Sequence, residues 1–377
     1  MTILIVVEPG IDGTFRHVDA LTRYLIEQKQ AVHLAYSDQR NSPELTALIA
    51  WVEQHGGKTL NLKVGNAPTT GDVAALASLW KFAHETSPDV IHSHSSKAGV
   101  LARSLALGGI KSRQFYTPHA YYGLTPRPGL RNKFFNGIES FFGRVGHTFN
   151  ISEDERAFAF DTLHLAPSQS LLIPIAVDVH SFLPATPESK LKARRELGLP
   201  EDATILGWMG RLSFQKDPET LYRTAQLLEQ AGSKVHLFHV GRGEKEKEIE
   251  SLMQELNVGG NMTRLPYLRP PGLFYEAIDG LVMTSRYEGC PTVALEALSS
   301  NLPLVLSQAP GTNWLARSGL SHCWTAPIGN APAFAQAISQ WFEDIPRERE
   351  RNHRQFALDH FAPGQIYGRI FEAYRTA

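Results

Sequence analysis

Short segments rich in apolar residues alternate with helically spaced apolar positions in the first half of the chain. These segments predict strands at residues 3–7, which are continuously apolar, and at 31–36, 60–64, 90–92 and 114–117. Apolar residues spaced three and four apart predict helices at residues 14–28, 43–55, 71–84 and 97–107. Strands that alternate with helices in this way are typical of a parallel, doubly wound sheet.

The same alternation starts again after a polar stretch at residues 184–200. Further strands are predicted at residues 205–209, 235–240, 281–284 and 304–307. Further helices are predicted at residues 218–230, 245–256 and 291–300, with a helical tail from residue 331. The pattern therefore predicts an α/β protein with two Rossmann-like domains, 1–182 and 183–355, and a helix at 356–377 that packs back on the first domain. Two such domains facing each other would hold their ligand in a central cleft, beyond the carboxyl ends of the strands.

Composition excludes several classes of protein. The 377 residues carry a formal net charge of −1, which argues against a nucleic-acid partner. The two cysteines, Cys290 and Cys323, lie far apart, which favours a reducing compartment over a disulfide framework. The first residues predict a buried strand and not a signal peptide, and no apolar run reaches the roughly 18 residues that span a membrane. We expect a cytoplasmic location.

The segment after the strand at 281–284 carries the most specific chemistry. If Pro291 opens a helix, the backbone N–H groups of residues 292–294 are free to bind an anion. Glu288 in the loop and Glu296 on the second turn approach the same point, and such carboxylates accept hydrogen bonds from hydroxyls. A sugar nucleotide offers both a diphosphate and hydroxyls. The expected contacts are Glu288, Gly289, Cys290, Pro291, Thr292 and Glu296. The alternative is that Glu296 is a surface acid favoured by the helix dipole and Glu288 a solvated loop residue.

Two cations follow another strand of the same domain. The strand at 205–209 ends in Gly210-Arg211, and Lys216 precedes the helix at 218–230. Arginine offers a bidentate fork to phosphate and lysine a point charge. Their position after a strand favours phosphate binding over surface ion pairing. The chain has no Asp-x-Asp pair, so we expect no metal at the phosphates.

These motifs together resemble glycosyltransferase family 4, retaining enzymes of the GT-B fold. The family's Glu-x7-Glu element corresponds to EGCPTVALE at 288–296, and its upstream Arg…Lys pair to Arg211 and Lys216. The resemblance implies that Glu288 contacts the donor sugar, that Glu296 contacts the ribose, and that the two cations neutralise the leaving diphosphate without a metal. GRGE at 241–244 matches a glycine-rich turn near the nucleotide, which adds Gly241 to the donor site.

Other segments extend the resemblance over nearly the whole chain. IPIAVDVHSF at 173–182 is similar to the family's interdomain segment. The loop PGIDGTFRHV places Gly13 where the family usually carries paired glycines, which makes Gly13 a further candidate donor contact. IHSHSSKAG at 91–99 and YTPHAYYG at 116–123 are similar to members that build bacterial surface polysaccharides.

Three histidines lie at the ends of adjacent predicted strands. The resemblance implies that His119 faces the donor sugar and acts with the catalytic residues. We interpret His92 as a hydrogen-bonded core histidine, and the role of His94 stays open. A zinc site formed by His92, His94 and His119 is the alternative, but no carboxylate or cysteine lies near them in sequence. We expect neither a metal nor another cofactor.

The segment GLRNKFFNGIESFFGRVGHTF predicts an amphipathic helix. Its candidate acceptor or membrane face contains Arg131, Lys133, Phe134, Phe135, Phe141 and Arg144. Basic and aromatic residues in this arrangement suit an anionic membrane surface. A helix packed on its own sheet shows the same periodicity and is the alternative.

The expected function is retaining transfer of a hexose or N-acetylhexosamine from a nucleotide-diphosphate sugar, UDP-linked by preference, to a hydroxyl of a glycan acceptor. The resemblance implies cell-surface polysaccharide synthesis, an acceptor carried on undecaprenyl diphosphate, and a peripheral position on the inner membrane. A nucleotide-sugar epimerase of the same fold and an NAD-dependent oxidoreductase remain alternatives, as does a glycoside hydrolase that uses Glu288 and Glu296.

Overall fold

The computed structural model describes residues 1–125, 129–344 and 352–376, which form two compact units. The first unit contains Met1–Ala176 and the chain from Gly364 onward, and the second contains Val177–Pro363. Within these described ranges, no helix is both long and apolar enough to cross a lipid bilayer.

The first unit is built on a parallel sheet. Its strands are β1 (Thr2–Val7), β2 (Ala31–Tyr36), β3 (Thr59–Asn61), β4 (Val90–His94), β5 (Arg113–Thr117), β6 (His147–Asn150) and β7 (Ser170–Leu172). Its first helices are α1 (Asp12–Glu27), α2 (Pro43–Gln54), α3 (Gly71–Thr86), α4 (Ser96–Leu107), α5 (Leu130–Phe142) and α6 (Glu153–Asp161), with 3₁₀ turns at Tyr122–Leu124 and Pro167–Gln169. The strand order is β3-β2-β1-β4-β5-β6-β7, so it reverses between β1 and β4.

The second unit repeats this plan. Its strands are β8 (Thr204–Met209), β9 (Val235–Val240), β10 (Met262–Leu265), β11 (Gly280–Met283), β12 (Leu304–Ser307) and β13 (Cys323–Ala326). Its helices are α7 (Pro187–Glu196), α8 (Pro218–Gln230), α9 (Glu246–Leu256), α10 (Gly272–Ala277), α11 (Thr292–Ser299), α12 (Asn313–Arg317), α13 (Ala331–Asp344) and α14 (His353–Phe361). The order β10-β9-β8-β11-β12-β13 is that of a dinucleotide-binding fold, with its reversal between β8 and β11.

A final helix, α15 (Pro363–Thr376), completes the core of the first unit. Its buried side chains Ile366, Tyr367, Ile370 and Tyr374 pack in one cluster with β1 and α1. The four positions that predicted α1, at Phe15, Val18, Leu21 and Leu25, are all buried in that cluster, which confirms the periodicity. The last helix is therefore an integral part of the first unit.

The division of the chain differs from the predicted one at both boundaries. Residues 177–182 were expected in the first domain but belong to the second unit. Arg354 explains this, because its guanidinium donates to the carbonyl oxygens of Val179 at 3.1 Å, Phe182 at 3.0 Å and Ser299 at 2.7 Å. Helix α14, most of which was expected in the helix that returns to the first domain, also lies in the second unit. Residues 345–351 of the predicted helical tail lie outside the described residues.

Most of the polar stretch at 184–200 forms helix α7 (Pro187–Glu196). Thr186 and Ser189 form a reciprocal capping box at the start of α7, and Pro187 occupies its first turn. Arg194 then donates to Asp279 at 2.7 Å, which fixes α7 against the strand that follows Asp279. Capping and ion pairing stabilise a helix here although few of its residues are apolar.

Candidate functional site

The carboxyl ends of β8 and β11 lie side by side where the strand order of the second sheet reverses. The loops that follow them are bonded to each other. The backbone N–H of Arg286 donates to the carbonyl of Gln215 at 2.7 Å, and the Thr284 hydroxyl lies 2.9 Å from the carbonyl oxygens of both Lys216 and Asp217. Ligands of such sheets bind at this point. The structure thus confirms that the two motifs singled out from the sequence share one edge.

Glu288 connects the loops that follow β8 and β11 at this edge of the sheet. Its side chain is buried, and its Oε1 accepts hydrogen bonds from Lys216 Nζ at 2.6 Å and Ser285 Oγ at 2.6 Å. Gln215 Nε2 donates to Oε2 at 3.3 Å. Lys216 and Glu288 were expected to meet separate parts of a ligand, and the structure instead joins them as an ion pair. Removing either partner would leave a largely buried charge without its counter-ion, which is costly.

A second ion pair, not anticipated from the sequence, holds the loop that carries Lys216. Asp217 is fully buried, and its two carboxylate oxygens accept from Arg286 at 2.8 Å and from Thr220 at 2.8 Å. Burial raises the pKa of Asp217, while both donors oppose that rise. Asp217 has a φ of +49° at the start of α8, so this network fixes the turn immediately after Lys216.

Helix α11 begins one residue later than predicted. Pro291 precedes the helix, and its carbonyl accepts from Ala294 N–H at 2.8 Å, so this N–H is not free for a ligand as expected. Within the described parts of the chain, the backbone N–H groups of Thr292 and Val293 have no hydrogen-bond acceptor. Gly289, Cys290 and Pro291 are buried. The start of the helix therefore leaves two backbone N–H groups free for the predicted anion, and not three as expected.

Glu296 lies on the second turn of α11 and is buried. Its carboxylate accepts a hydrogen bond from the hydroxyl of Tyr275 on α10. The interpretation of Glu296 as a surface acid is wrong, because the side chains of Glu296 and Tyr275 are both buried. Tyr275 was not predicted, since nothing in its sequence context links α10 to α11.

Backbone contacts between glycines shape the turn that carries Arg211. Gly241 has a φ of +150°, and a Cβ added to it would lie 1.8 Å from the carbonyl oxygen of Gly210. A Cβ on Gly243 would lie 2.4 Å from the carbonyl oxygen of Leu212. The two loops can approach only because both positions lack side chains. Arg211 is exposed between them.

Gly13 and the candidate histidines lie in the first unit: Gly13 in α1, which follows β1, His92 within β4, His94 at the end of β4, and His119 after β5. Gly13 is half-buried in the first turn of α1, next to Asp12 with a φ of +65°. His92 is fully buried and bonded at both ring nitrogens, to Tyr374 at 2.5 Å and to Thr117 at 2.8 Å. This confirms His92 as a hydrogen-bonded core residue.

His94 and His119 lie together, and His17 of α1 joins them in place of His92. His94 Nδ1 is 3.1 Å from His119 Nε2, and the ring of His17 lies 5.6 Å from that of His94 and 5.4 Å from that of His119, measured between centroids. Burial lowers the pKa of all three histidines, that of His17 to about 4, so the imidazoles are neutral near pH 7. That His119 contacts the donor sugar stays a prediction.

The loop after His119 is held by a buried carboxylate. Glu155 of α6 accepts from the backbone N–H of Ala120 at 2.7 Å and of Ile151 at 2.6 Å. Ala120 has a φ of +84°, a conformation that alanine rarely adopts without such support. Burial raises the pKa of Glu155 from 4.5 to about 7, although the two N–H groups favour the carboxylate.

This raised pKa predicts a specific pH dependence. The folded protein binds a proton at Glu155 more tightly than the unfolded chain, so the contribution of Glu155 to stability is greatest below pH 4.5 and falls as the pH rises to about 7. As the pH rises from 5 to 8, the difference in stability between Glu155→Gln and the native protein should therefore shift in favour of the variant by up to about 3 kcal/mol. Gln offers one acceptor oxygen in place of two, so the variant also carries a pH-independent cost for the N–H that it leaves unpaired. Urea unfolding at several pH values measures the shift. Glu153→Gln, exposed on the same helix, is the control, and a pH-independent difference for Glu155→Gln would contradict the assignment.

Helix α5 carries the candidate acceptor or membrane face. Glu139 and Phe142 attach it to the unit, and Glu139 is paired with buried Arg103 at 2.9 Å. The opposite side exposes Leu130, Phe134 and Phe141, with 86%, 63% and 57% of their surface accessible. The guanidinium of Arg131 lies over the ring of Phe135, while Lys133 and Arg144 are exposed on the same segment. The helix therefore packs on its own unit and also presents an apolar, basic surface.

Two family models match the chain in succession. Residues 11–181 match the model described as Glycosyltransferase Family 4, and residues 189–357 match the model described as Glycosyl transferases group 1. A curated relative, UDP-Gal:alpha-D-GlcNAc-diphosphoundecaprenol alpha-1,3-galactosyltransferase of Escherichia coli, is 27% identical over 66% of this chain and 65% of its own length. The chain thus spans just under two thirds of that relative. The putative glycosyltransferase EpsD of Bacillus subtilis is 22% identical over 72% of each chain.

Solved structures agree over the full length. HepE of Anabaena in complex with UDP has a TM-score of 0.82 at 19% identity, with 100% of each chain covered. The lipopolysaccharide outer core galactosyltransferase WaaB, in its apo form, has a TM-score of 0.71 at 16% identity, with 99% of each chain covered. At these identities the likeness shows the fold, which is GT-B. Together with the two family models, it shows that this chain belongs to glycosyltransferase family 4.

Proposed function

We propose that this protein is a retaining glycosyltransferase that uses a UDP-sugar. The observation that carries the proposal is the Lys216–Glu288 ion pair at the reversal point of the second sheet, beside Arg211 and the start of α11. Such an edge offers cations to a diphosphate and a carboxylate to sugar hydroxyls. The Anabaena structure in complex with UDP and the UDP-Gal-dependent E. coli relative support the choice of nucleotide.

The proposed reaction assigns a role to each part of this edge. The bond between the sugar anomeric carbon and the diphosphate oxygen breaks as the acceptor oxygen bonds to the same face of that carbon. A phosphate oxygen of the departing UDP takes the acceptor proton. Arg211 and Lys216 stabilise the charge that develops on the diphosphate, which is the electrostatic task otherwise given to a metal. Glu288 orients Lys216 and accepts from a sugar hydroxyl.

The nucleoside is assigned to the neighbouring groups. Glu296, oriented by Tyr275, accepts from the ribose hydroxyls, and the free N–H groups at the start of α11 meet a phosphate oxygen. Gly210 and Gly241 let the backbone approach the nucleotide closely.

The acceptor is proposed to be a sugar carried on undecaprenyl diphosphate, in the synthesis of a cell-surface polysaccharide. The name of the E. coli relative supports this class, and so does the apolar, basic surface of α5. An anionic bilayer attracts basic side chains, and exposed aromatic residues enter its interface. The enzyme would then act at the cytoplasmic surface of the inner membrane.

Product analysis with a panel of UDP-, GDP- and ADP-sugars tests the function. With a polyprenyl-diphosphate-linked sugar present, we expect UDP release and one new glycosidic bond with the anomeric configuration of the donor, read by NMR. An inverted product would overturn retention. Isomerisation of the donor without acceptor would indicate an epimerase, sugar release from a glycoside without nucleotide a hydrolase, and binding of NAD in place of UDP an oxidoreductase.

The proposed membrane contact predicts binding to anionic vesicles. Replacing Phe134 and Phe141 with serine should weaken vesicle binding about tenfold or more, since each exposed ring loses its apolar burial in the interface. The control replaces Val73 and Leu107, exposed apolar residues on α3 and α4, with serine. Cosedimentation with phosphatidylglycerol vesicles measures both. Equal loss in the two variants, or no binding by the native protein, would contradict the contact.

A further inference from the structure

His119 is held in place at two separate points. Its backbone has a φ of +55°, and that of the next residue, Ala120, a φ of +84°, both in the region that favours glycine. Glu155 fixes this turn by accepting from the N–H of Ala120 at 2.7 Å. The second point is the ring, since His119 Nε2 lies 3.1 Å from His94 Nδ1. Strained backbone that is held in this way is common at functional sites.

His94 belongs to the centre of the first sheet. It is the last residue of β4, is fully buried, and is paired in register with Val7 of β1 and Thr117 of β5. The N–H of the following residue, Ser95, donates to the carbonyl of Thr117 at 3.1 Å. Strands position side chains more precisely than loops do, so His94 is a fixed point for the ring of His119.

The bond between the two rings leaves one nitrogen of His119 for a ligand. Burial lowers the pKa of both His94 and His119, so both rings are neutral near pH 7. A neutral imidazole carries one N–H, so one ring donates and the other accepts. Because His119 Nε2 is used in this bond, Nδ1 is the nitrogen that remains. It makes no hydrogen bond among the described residues, and His119 is half-buried.

His17 of α1 packs against both rings of this pair. Its ring lies 5.4 Å from that of His119 and 5.6 Å from that of His94, measured between centroids. Neither nitrogen of His17 is hydrogen bonded to another described residue. His17 therefore restricts the pair by packing, and the hydrogen bond to His94 sets the direction of the His119 ring.

We propose that His94 is a positioning residue for sugar transfer, which orients the ring of His119 so that Nδ1 faces a hydroxyl of the sugar. This inference rests on the proposed function and on the predicted contact between His119 and the donor sugar. A neutral Nδ1 can donate to a hydroxyl or accept from it, and the bond at Nε2 decides which. Because orientation of the reacting sugar lowers the barrier to transfer, the effect of His94 is on kcat.

A double-mutant cycle on kcat tests the positioning role. His94→Leu should lower kcat by about 10- to 100-fold, since a misplacement of about 1 Å costs up to about 10²-fold. In a His119→Ala background the same substitution should cost less than about threefold, because His94 then has no ring to orient. A loss of equal size in both backgrounds would contradict the proposal, and so would a His119→Ala enzyme with the native kcat.

Conservative variants of His94 distinguish orientation from packing. The amide of His94→Asn lies near the position of Nδ1 and can still bond to His119, so this variant should recover most of the kcat that His94→Leu loses. The amide of His94→Gln reaches the position of Nε2 instead, and this variant should resemble His94→Leu. Should His94→Leu fail to fold, the Asn and Gln variants make the same comparison. Equal kcat in these two variants would exclude the bond at Nδ1 as the cause.

His92→Leu is the control for damage to β4. His92 is as buried as His94 and lies on the same strand, but its ring is bonded to Tyr374 and Thr117 and not to His119. This variant should be less stable than the native protein and keep the native kcat. Equal loss of kcat in His92→Leu and His94→Leu would mean that β4 as a whole is disturbed, and the proposal would fall.

Nitrogen-15 NMR of the imidazole rings gives a readout that needs no activity. His94→Leu should move the Nε2 resonance of His119, and His92→Leu should leave it in place. An unmoved resonance in folded His94→Leu would show that the two rings are not bonded. The two proposals also fail separately. Absence of sugar transfer by the native protein would contradict the proposed function, whereas normal transfer without coupling between His94 and His119 would contradict only the positioning role.

Discussion

Replacing Lys216 with alanine is expected to lower kcat by on the order of 10²–10³, the usual cost of removing one donor that stabilises transition-state charge. Lys216 supplies a cation at the carboxyl edge of β8, 2.6 Å from Glu288 Oε1. Without it the diphosphate leaves with less compensation, and Glu288 keeps a buried charge without its ion pair. Steady-state rates at saturating donor measure the effect. Arg211→Ala should act in the same direction.

Lys190→Ala is the control for this substitution. Lys190 pairs with Asp279 at 2.8 Å in the same unit, but Asp279 precedes β11 and so lies at the amino edge of the sheet. The Lys190→Ala variant should therefore be less stable than the native protein but keep the native kcat. The double variant Lys216→Ala/Glu288→Gln separates the two effects, because it removes the uncompensated carboxylate and should regain stability but not rate. A Lys216→Ala enzyme within tenfold of the native kcat would exclude this role for Lys216.

Gly241→Ala is expected to be the most damaging of the small substitutions in the second unit. The added Cβ would lie 1.8 Å from the carbonyl oxygen of Gly210, and φ at this position is +150°. The carbonyl oxygen is a backbone atom and the added Cβ is bonded directly to the backbone, so neither can rotate away. The turn before Arg211 must therefore move. Strain and overpacking together should lower the free energy of unfolding by about 2–5 kcal/mol, as measured by urea unfolding. Movement of the turn should also weaken UDP binding.

Gly259→Ala is a closely matched control. Gly259 has the same φ of +150°, but a Cβ there meets nothing within 4 Å. It should show only the cost of the backbone conformation, about 1–3 kcal/mol, and bind UDP normally. Equal destabilisation of the two variants would mean that contact between the loops contributes nothing.

The strands at the centre of each sheet could be predicted from the sequence, and most edge strands could not. β1, β2, β8 and β9 consist mostly of apolar residues, because helices cover both faces of these central strands. The strands β6, β7, β10 and β13 were missed. β10 and β13 are the two edge strands of the second sheet, and most of their side chains are half-buried. Neither strand therefore has a run of apolar residues that would predict it.

The site could be predicted only to the level of its loops. Lys216 and Glu288 each follow a predicted strand of the same parallel sheet, so the sequence predicts that both lie at one edge of that sheet. Their direct ion pair depends on the Thr284 and Arg286 contacts, which have no sequence signature. His17 was missed because its apolar neighbours on α1 account for the helix without it. Tyr275 was missed because α10 has only six residues, too few for a periodic pattern.

The order in which the core of the first unit is assembled has a consequence for synthesis. Ile366, Ile370 and Tyr374 belong to that core, yet the ribosome adds them after all of Val177–Pro363. The second unit can therefore bury its own apolar residues while the first still exposes the surface that α15 will cover. The Nδ1 of buried His92 likewise gains its partner, the hydroxyl of Tyr374, only when α15 has been synthesised. The first unit thus stays incomplete until the whole second unit has been synthesised, and α15 is the segment that completes its core.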